Sequence, residues 1–376
     1  MNKQNYYNTI GLQIEDLPAL VDTQTDTCFN PENLEALMEP SIVKSLKRVI
    51  ITGCGDSFSA AGAMKPAFRL HSGLKQVSVP DPMEFCRYYT KEEVNKGCLD
   101  SETLVIAVSA SGGSARIVEI LEKANKMGVG SMLISNNPES NGAKAAQYMY
   151  YVQTPPGCNS PGLRSYFASM VAITALGAWI GLQQGHITEE RFYAIRENIV
   201  TYVKAVMSCY CRIDDHMFRM GTVWKDYKKF EVVGDWGEAF SAQFVEEKFI
   251  ECGGVHTTHA DSEDWCHINY FLRDPETIGT IFLTHFQDPS FDRMLYTIRS
   301  AADIGRPSLV VTDAEVTFFP ETAEVCRIPS APEGWMTPLM DFIPGSLLAS
   351  YVAACAGKLF FGGKYDFRTQ TWTWNA

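Results

Sequence analysis

Apolar runs and polar breaks alternate along this chain with the rhythm of a wound α/β protein. Arg48-Val49-Ile50-Ile51-Thr52 is a nearly continuous apolar run closed by Gly53-Cys54-Gly55, and Phe58 to Leu70 follows with helical spacing of small and apolar residues. The unit then recurs. Leu104 to Val108 is apolar throughout, Ser109 to Ser114 is a Ser/Gly loop, and Ile117, Ile120, Leu121, Ala124 and Met127 repeat at helical spacing before a further strand at Ser131 to Ser135. In the second half, Phe230 to Gly234, Thr277 to Thr284 and Ser308 to Thr312 read as strands, with helices over Glu238 to Glu251 and Phe291 to Ile304. Strands without polar alternation belong to parallel sheets covered on both faces, so the pattern predicts two doubly wound parallel-sheet lobes with flanking helices. The divisions are a polar leader over 1–40, a first lobe over 41–186, a helical connector over 187–225, and a second lobe with a C-terminal tail over 226–376. Strand order is not fixed by the pattern.

Composition narrows the partners. The chain has 376 residues, 46% of them hydrophobic, enough for two ordinary domains. With 32 Lys and Arg against 44 Asp and Glu, the net charge of −12 repels nucleic acid and anionic membrane surfaces. Eleven cysteines without a C-x-x-C pair, and an opening without a basic stretch followed by an apolar one, predict reduced thiols and a cytoplasmic location. The longest apolar runs, such as Met170 to Leu182, fall short of a bilayer span, so no membrane anchor is expected.

Two loops in the first lobe follow a strand and start a helix, where unpaired N–H groups and the helix dipole favour anions. Ser109-Ala110-Ser111-Gly112-Gly113-Ser114 offers three hydroxyls, two glycines and a helix N-cap in Ser114; Gly53-Cys54-Gly55-Asp56-Ser57 has a similar form. Neither contains Lys or Arg, so a phosphate here is met by neutral donors. Each loop alone also fits an ordinary βα turn with serine caps. The third glycine of a dinucleotide fingerprint is missing, and no G-x-x-x-x-G-K-[ST] occurs, so no cofactor is expected.

With these residues the chain resembles the sugar-isomerase (SIS) domain family, whose lobes are flavodoxin-like, and more closely the paired lobes of the glucosamine-6-phosphate synthase isomerase half and the sugar-phosphate deglycases. The resemblance covers roughly 45–185 and 228–360. It implies that Gly55, Ser57, Ser109, Ser111 and Ser114 bind a sugar phosphate. Ala110 replaces the glutamine of the synthase and Asp56 its threonine.

The second half supplies Glu246-Glu247-Lys248-Phe249-Ile250-Glu251, then His256 and His267. Glu251 stands seven residues after Phe244 and eleven after Phe240, close to an apolar stripe, in the last helical turn before Gly253-Gly254; burial and a helix C-terminus both raise a carboxyl pKa, which suits a proton-moving base. An exposed glutamate on a solvated helix end has the same pattern. By the resemblance, Glu251 is the general base and His267 opens the sugar ring, with Asp56, Lys248 and Arg368 as possible substrate contacts. His256 and His259, with Asp261, Glu263, Asp264 and His267 nearby, form no metal site on this reading, because residues three apart on a strand face opposite ways.

The tail departs from the synthase pattern: no lysine aligns with the one that enters the synthase site, and Lys364 and Arg368 are the nearest cations. The start lacks an N-terminal cysteine and a glutaminase domain, so ammonia release from glutamine is not expected. The resemblance thus implies aldose–ketose isomerisation of a phosphorylated sugar or amino sugar. Its alternatives are a fructosamine-6-phosphate-type deglycase and a sugar-phosphate sensor without chemistry. Family members bury a large interface and often complete the site with a histidine from the neighbouring subunit, which implies a homodimer or higher homo-oligomer.

Overall fold

Ten strands form two five-stranded sheets in the computed structural model, which describes residues 2–155 and 160–361. The first sheet holds β1 (Arg48–Gly53), β2 (Gln76–Ser78), β3 (Thr103–Val108), β4 (Gly130–Ser135) and β5 (Tyr148–Tyr151) in the order β2-β1-β3-β4-β5. The second holds β6 (Lys229–Val233), β7 (His256–Ala260), β8 (Ile278–Leu283), β9 (Ser308–Thr312) and β10 (Ala323–Arg327) in the order β10-β9-β8-β6-β7. All pairings are parallel. Counted from its own first strand, each sheet has the flavodoxin-like order 2-1-3-4-5, whose ligand crevice opens where the first and third strands lie side by side. Gly53 pairs with Val108 at that point in the first lobe, and Val233 with Phe282 in the second.

The central strands are buried along their whole length, as their unbroken apolar character requires. Elsewhere the chain corrects its sequence pattern. The segment 58–70 is two helices, Asp56–Ala63 and Lys65–Ser72, because Pro66 lies in the first turn of the second and cannot continue the first. The leader packs into the fold: Ile10, Ile14, Leu17, Leu20 and Val21 lie on its helices Thr9–Glu15 and Leu17–Cys28 and join the main core. Residues 187–225 carry two helices, Glu189–Ser208 and Tyr210–Trp224.

The run Met170 to Leu182 belongs to a 20-residue helix, Arg164–Gln183, which is long and apolar enough to cross a membrane; the expectation that it is too short is corrected. Within the fold, 89% of its apolar window is buried, against the Leu17–Cys28, Asp56–Ala63 and Lys65–Ser72 helices. The stretch Gly334–Cys355 passes the same test and is equally buried, so each is accounted for as a core element.

One helix ties the lobes together. Glu238–Gly253 follows β6 of the second lobe and packs on Asp56–Ala63 of the first and on Phe342–Cys355. Phe244 on it stacks on Tyr166, ring centroids 3.8 Å apart, with Phe342 edge-on to both. The ring of Phe240 lies so close to Gly62 that a Cβ there would stand 2.1 Å from it. This contact fixes the distance from the interlobe helix to the loops of the first lobe.

Candidate functional site

The loops after β1 and β3 and the last turns of the Glu238–Gly253 helix enclose a cleft of about 530 Å³, within the range of small-molecule sites. Gly55, Asp56, Ser57, Ser109, Ser111, Ser114 and Glu251 all line it. A hollow of about 470 Å³ lined by Met38, Ile42, Gly130 and Tyr148 lies at the opposite, amino ends of the strands, where a doubly wound sheet brings no helix starts together.

The Ser/Gly loop is built to present hydroxyl protons. Ser109 Oγ accepts the Gly112 N–H at 3.0 Å, Ser111 Oγ accepts the Gly113 N–H at 3.4 Å, and Ser114 Oγ caps the Ala115–Met127 helix by accepting the Ile117 N–H at 3.4 Å. With each oxygen engaged as an acceptor, the O–H remains a donor for an anion. Gly112 holds φ at +61°, and a Cβ there would meet Ser140 Oγ at 2.2 Å, so this turn admits only glycine. Gly55, at φ +56°, turns the other loop into the Asp56–Ala63 helix, whose first N–H groups have no partner within the helix. No Lys or Arg lies among the cleft-lining residues.

The facing wall carries the ionisable groups. Lys248 is fully buried, with its ammonium 2.9 Å from both carboxylate oxygens of Asp56, 3.3 Å from the Gly162 carbonyl, and paired with Glu251. It stands over the Phe244 ring, 4.6 Å from the centroid, worth about 2 kcal/mol in a desolvated site. Burial alone lowers a lysine pKa, but Asp56 and Glu251 outweigh it and hold Lys248 above its usual value. Lys248 therefore lies beneath the cleft as a strut between the lobes, while Asp56 and Glu251 reach the wall.

Glu247, one turn before Glu251, is a site residue that sequence reasoning missed. It lines the same cleft, accepts hydrogen bonds from Ser59 Oγ (3.3 Å) and Gln243 Nε2 (3.2 Å), and stands beside Asp56. Burial first, and the Asp56 charge second, push its carboxyl up to about 9, so it carries a proton at neutral pH. Glu251 is half-buried with the ammonium of Lys248 against it. The i, i+4 spacing that puts both on one helix face was the available signal.

One expected residue stands elsewhere and another is not among the described residues. His267 ends the short Ser262–His267 helix of the second lobe, is exposed, and meets Glu263 at 2.9 Å; it does not line this cleft. Arg368, like Lys364, lies outside the described residues. His256 and His259 both lie exposed on β7, and His259 pairs with Glu246. The described cysteines are all unpaired, and burial raises the Cys54 thiol at the cleft mouth.

Residues 42–178 match the SIS domain model. The first lobe is a SIS domain. Beyond the SIS lobe, the chain is 21% identical over 361 residues to a glutamine–fructose-6-phosphate aminotransferase of Clostridium tetani, covering 93% of this chain and 57% of that protein. It thus spans little more than half the length of that relative. Among solved structures, the C-terminal domain of glucosamine-fructose-6-phosphate aminotransferase from Francisella tularensis has a TM-score of 0.82 at 18% identity, covering 95% of this chain and 99% of that one. Tagatose-6-phosphate ketose/aldose isomerase from Escherichia coli gives 0.70 at 13% identity, covering 96% of each. The structural likenesses establish the fold of both lobes, and the second lobe repeats the strand order of the SIS lobe.

Proposed function

We propose that this protein is a phosphosugar isomerase that interconverts the aldose and ketose forms of a phosphorylated sugar or amino sugar. The observation that carries the reading is one cleft with neutral anion donors on one wall, Ser57, Ser109, Ser111 and Ser114, and two carboxyl groups of different character, Glu247 and Glu251, on the other. A pair of titratable groups held in opposed environments divides acid from base. The SIS match over the first lobe and the isomerase fold of the structural neighbours support the same reading.

In this mechanism the phosphate sits against the serine hydroxyls and the start of the Ala115–Met127 helix. Glu251 takes the proton from the carbon next to the carbonyl, and protonated Glu247 hands its own proton to the carbonyl oxygen, giving a cis-enediol or enolamine. The reverse transfers, with Glu251 delivering its proton to the neighbouring carbon and Glu247 recovering one from the second oxygen, complete the isomerisation with no co-reactant. On this reading His267, exposed on the second lobe and outside this chain's cleft, assists ring opening in the cleft of a neighbouring subunit. Incubation with hexose and hexosamine 6-phosphates in D2O, followed by NMR, is the test: deuterium at C1 or C2 is expected with at least one of them. Absence of exchange across such a set, with release of free amine from fructosamine 6-phosphates instead, replaces the reading by a deglycase.

A further inference from the structure

The second lobe has its own crevice at the point corresponding to the phosphate site of the first. There the ends of β6 and β8 stand side by side, and the segments leaving them carry carboxyl and imidazole groups in place of serines. Glu238 opens the helix after β6, His285 comes two residues after β8, and Asp341 precedes the Phe342–Cys355 helix. All three are buried, and one ligand atom from each lies within 4.8 Å of the others. We propose that Glu238, His285 and Asp341 form a binding site for one first-row divalent cation, Zn²⁺ or Mn²⁺, that pins the interlobe helix to the second lobe.

The cluster points to a ligand by the polar atoms it leaves unpaired. His285 is 2% exposed and neither ring nitrogen has a hydrogen-bond partner, with Asp313 Oδ1 3.8 Å from Nδ1; Asp341 is fully buried, and neither carboxylate oxygen has a close hydrogen-bond partner. The nearby Ser241 hydroxyl faces Asp341. Orphaned buried polar groups are rare and costly, and His285 and Asp341 converge from separate chain segments on Glu238, which accepts a hydrogen bond from Thr337 Oγ1. The charges that act on Glu238 are those of Asp288 and Asp341, on Asp341 that of Asp288, and on Asp288 those of Asp313 and Asp235, all acidic.

The donor set selects the ion class. An imidazole favours Zn²⁺ over Mg²⁺ or Ca²⁺, and two carboxylates extend the set to Mn²⁺. Ligands about 2.0–2.2 Å from a tetrahedral ion stand about 3.3–3.6 Å apart, so the cluster closes by at most about 1.5 Å on binding. The site is separate from the sugar cleft and its failure leaves the isomerase reading intact.

The test uses the full chain, stripped with chelator and reloaded. Binding of about one equivalent of Zn²⁺ or Mn²⁺ by elemental analysis, a rise in Tm on reloading, and visible absorption bands with Co²⁺ are expected. E238Q and H285N should each lower affinity at least 10-fold. D341N separates the cases further: with a metal site it abolishes the Tm response, whereas with no metal it removes a buried unpaired carboxyl and raises the Tm. The proposal is overturned if reloaded protein holds under about a tenth of an equivalent with unchanged Tm, or if all three variants bind the ion as the unaltered chain does.

Discussion

The ammonium of Lys248, on a helix of the second lobe, stands 2.9 Å from both carboxylate oxygens of Asp56, in the turn after β1 of the first. This pair joins the two halves of the cleft through charges removed from water. Such pairs add little over an apolar substitute, but breaking one strands its partner.

Lys248→Met should therefore destabilise the protein by about 3 kcal/mol or more, measured by urea unfolding at neutral pH. The double variant with Asp56→Asn should recover part of that loss. Equal stability of Lys248→Met and the unaltered protein would show that the pair bears no structural role.

Glu247 makes stability depend on pH with a defined sign. Its folded value of about 9 lies above the 4.5 of an unperturbed glutamate, so the folded state holds a proton that the unfolded state has lost. Its contribution is full below about pH 4.5 and is lost as pH rises toward about 9; the limiting slope is about 1.4 kcal/mol per pH unit. Compared with Glu247→Gln, the unaltered protein should lose stability steadily over that window. Parallel stability curves for the two would remove the basis for Glu247 as proton donor.

Glu251→Gln should lower turnover by about 10² to 10⁴-fold while sugar-phosphate affinity changes little. Glu247→Gln should reduce turnover less and flatten the alkaline limb of the pH profile. A kinetic pH series on both variants decides the order.

Ser111→Ala removes a hydroxyl donor to an ionic ligand, a contact worth about 1.5–3 kcal/mol, so affinity for the phosphorylated sugar should fall about 10-fold or more. Affinity for the unphosphorylated sugar should not move. Isothermal titration calorimetry with both ligands is the measurement, and an equal loss for the two sugars would place the phosphate elsewhere.

If His267 serves the neighbouring subunit, mixing inactive Glu251→Gln and His267→Asn chains should restore about a quarter of full activity, since half the dimers are mixed and each holds one intact site. No recovery after subunit exchange would sink the assignment of His267 to the neighbouring subunit's cleft.

The central strands were legible because Val49-Ile50-Ile51 and Leu104 to Val108 must be buried on both faces, and only a covered parallel sheet does that. The edge strands β2, β5 and β10 were not, since short mixed runs such as Gln76–Ser78 and Ala323–Arg327 resemble loops. The serine loops stood out because donors and glycines are contiguous in sequence. Glu247 was hidden within Glu246-Glu247-Lys248, a run that looks like any solvated helix face until the first lobe covers it. Glu238, His285 and Asp341 lie too far apart in the chain for spacing to carry a signal.

On the proposed reading the cleft draws its anion donors from one lobe and its proton-handling carboxyls from the other, across the Phe240–Gly62 contact. Recognition and reactivity are thus separately heritable. Drift in the first lobe can retune which phosphorylated compound is held while the reactive helix stays unchanged, and loss of two carboxyls from that helix would leave a receptor with its binding pocket whole.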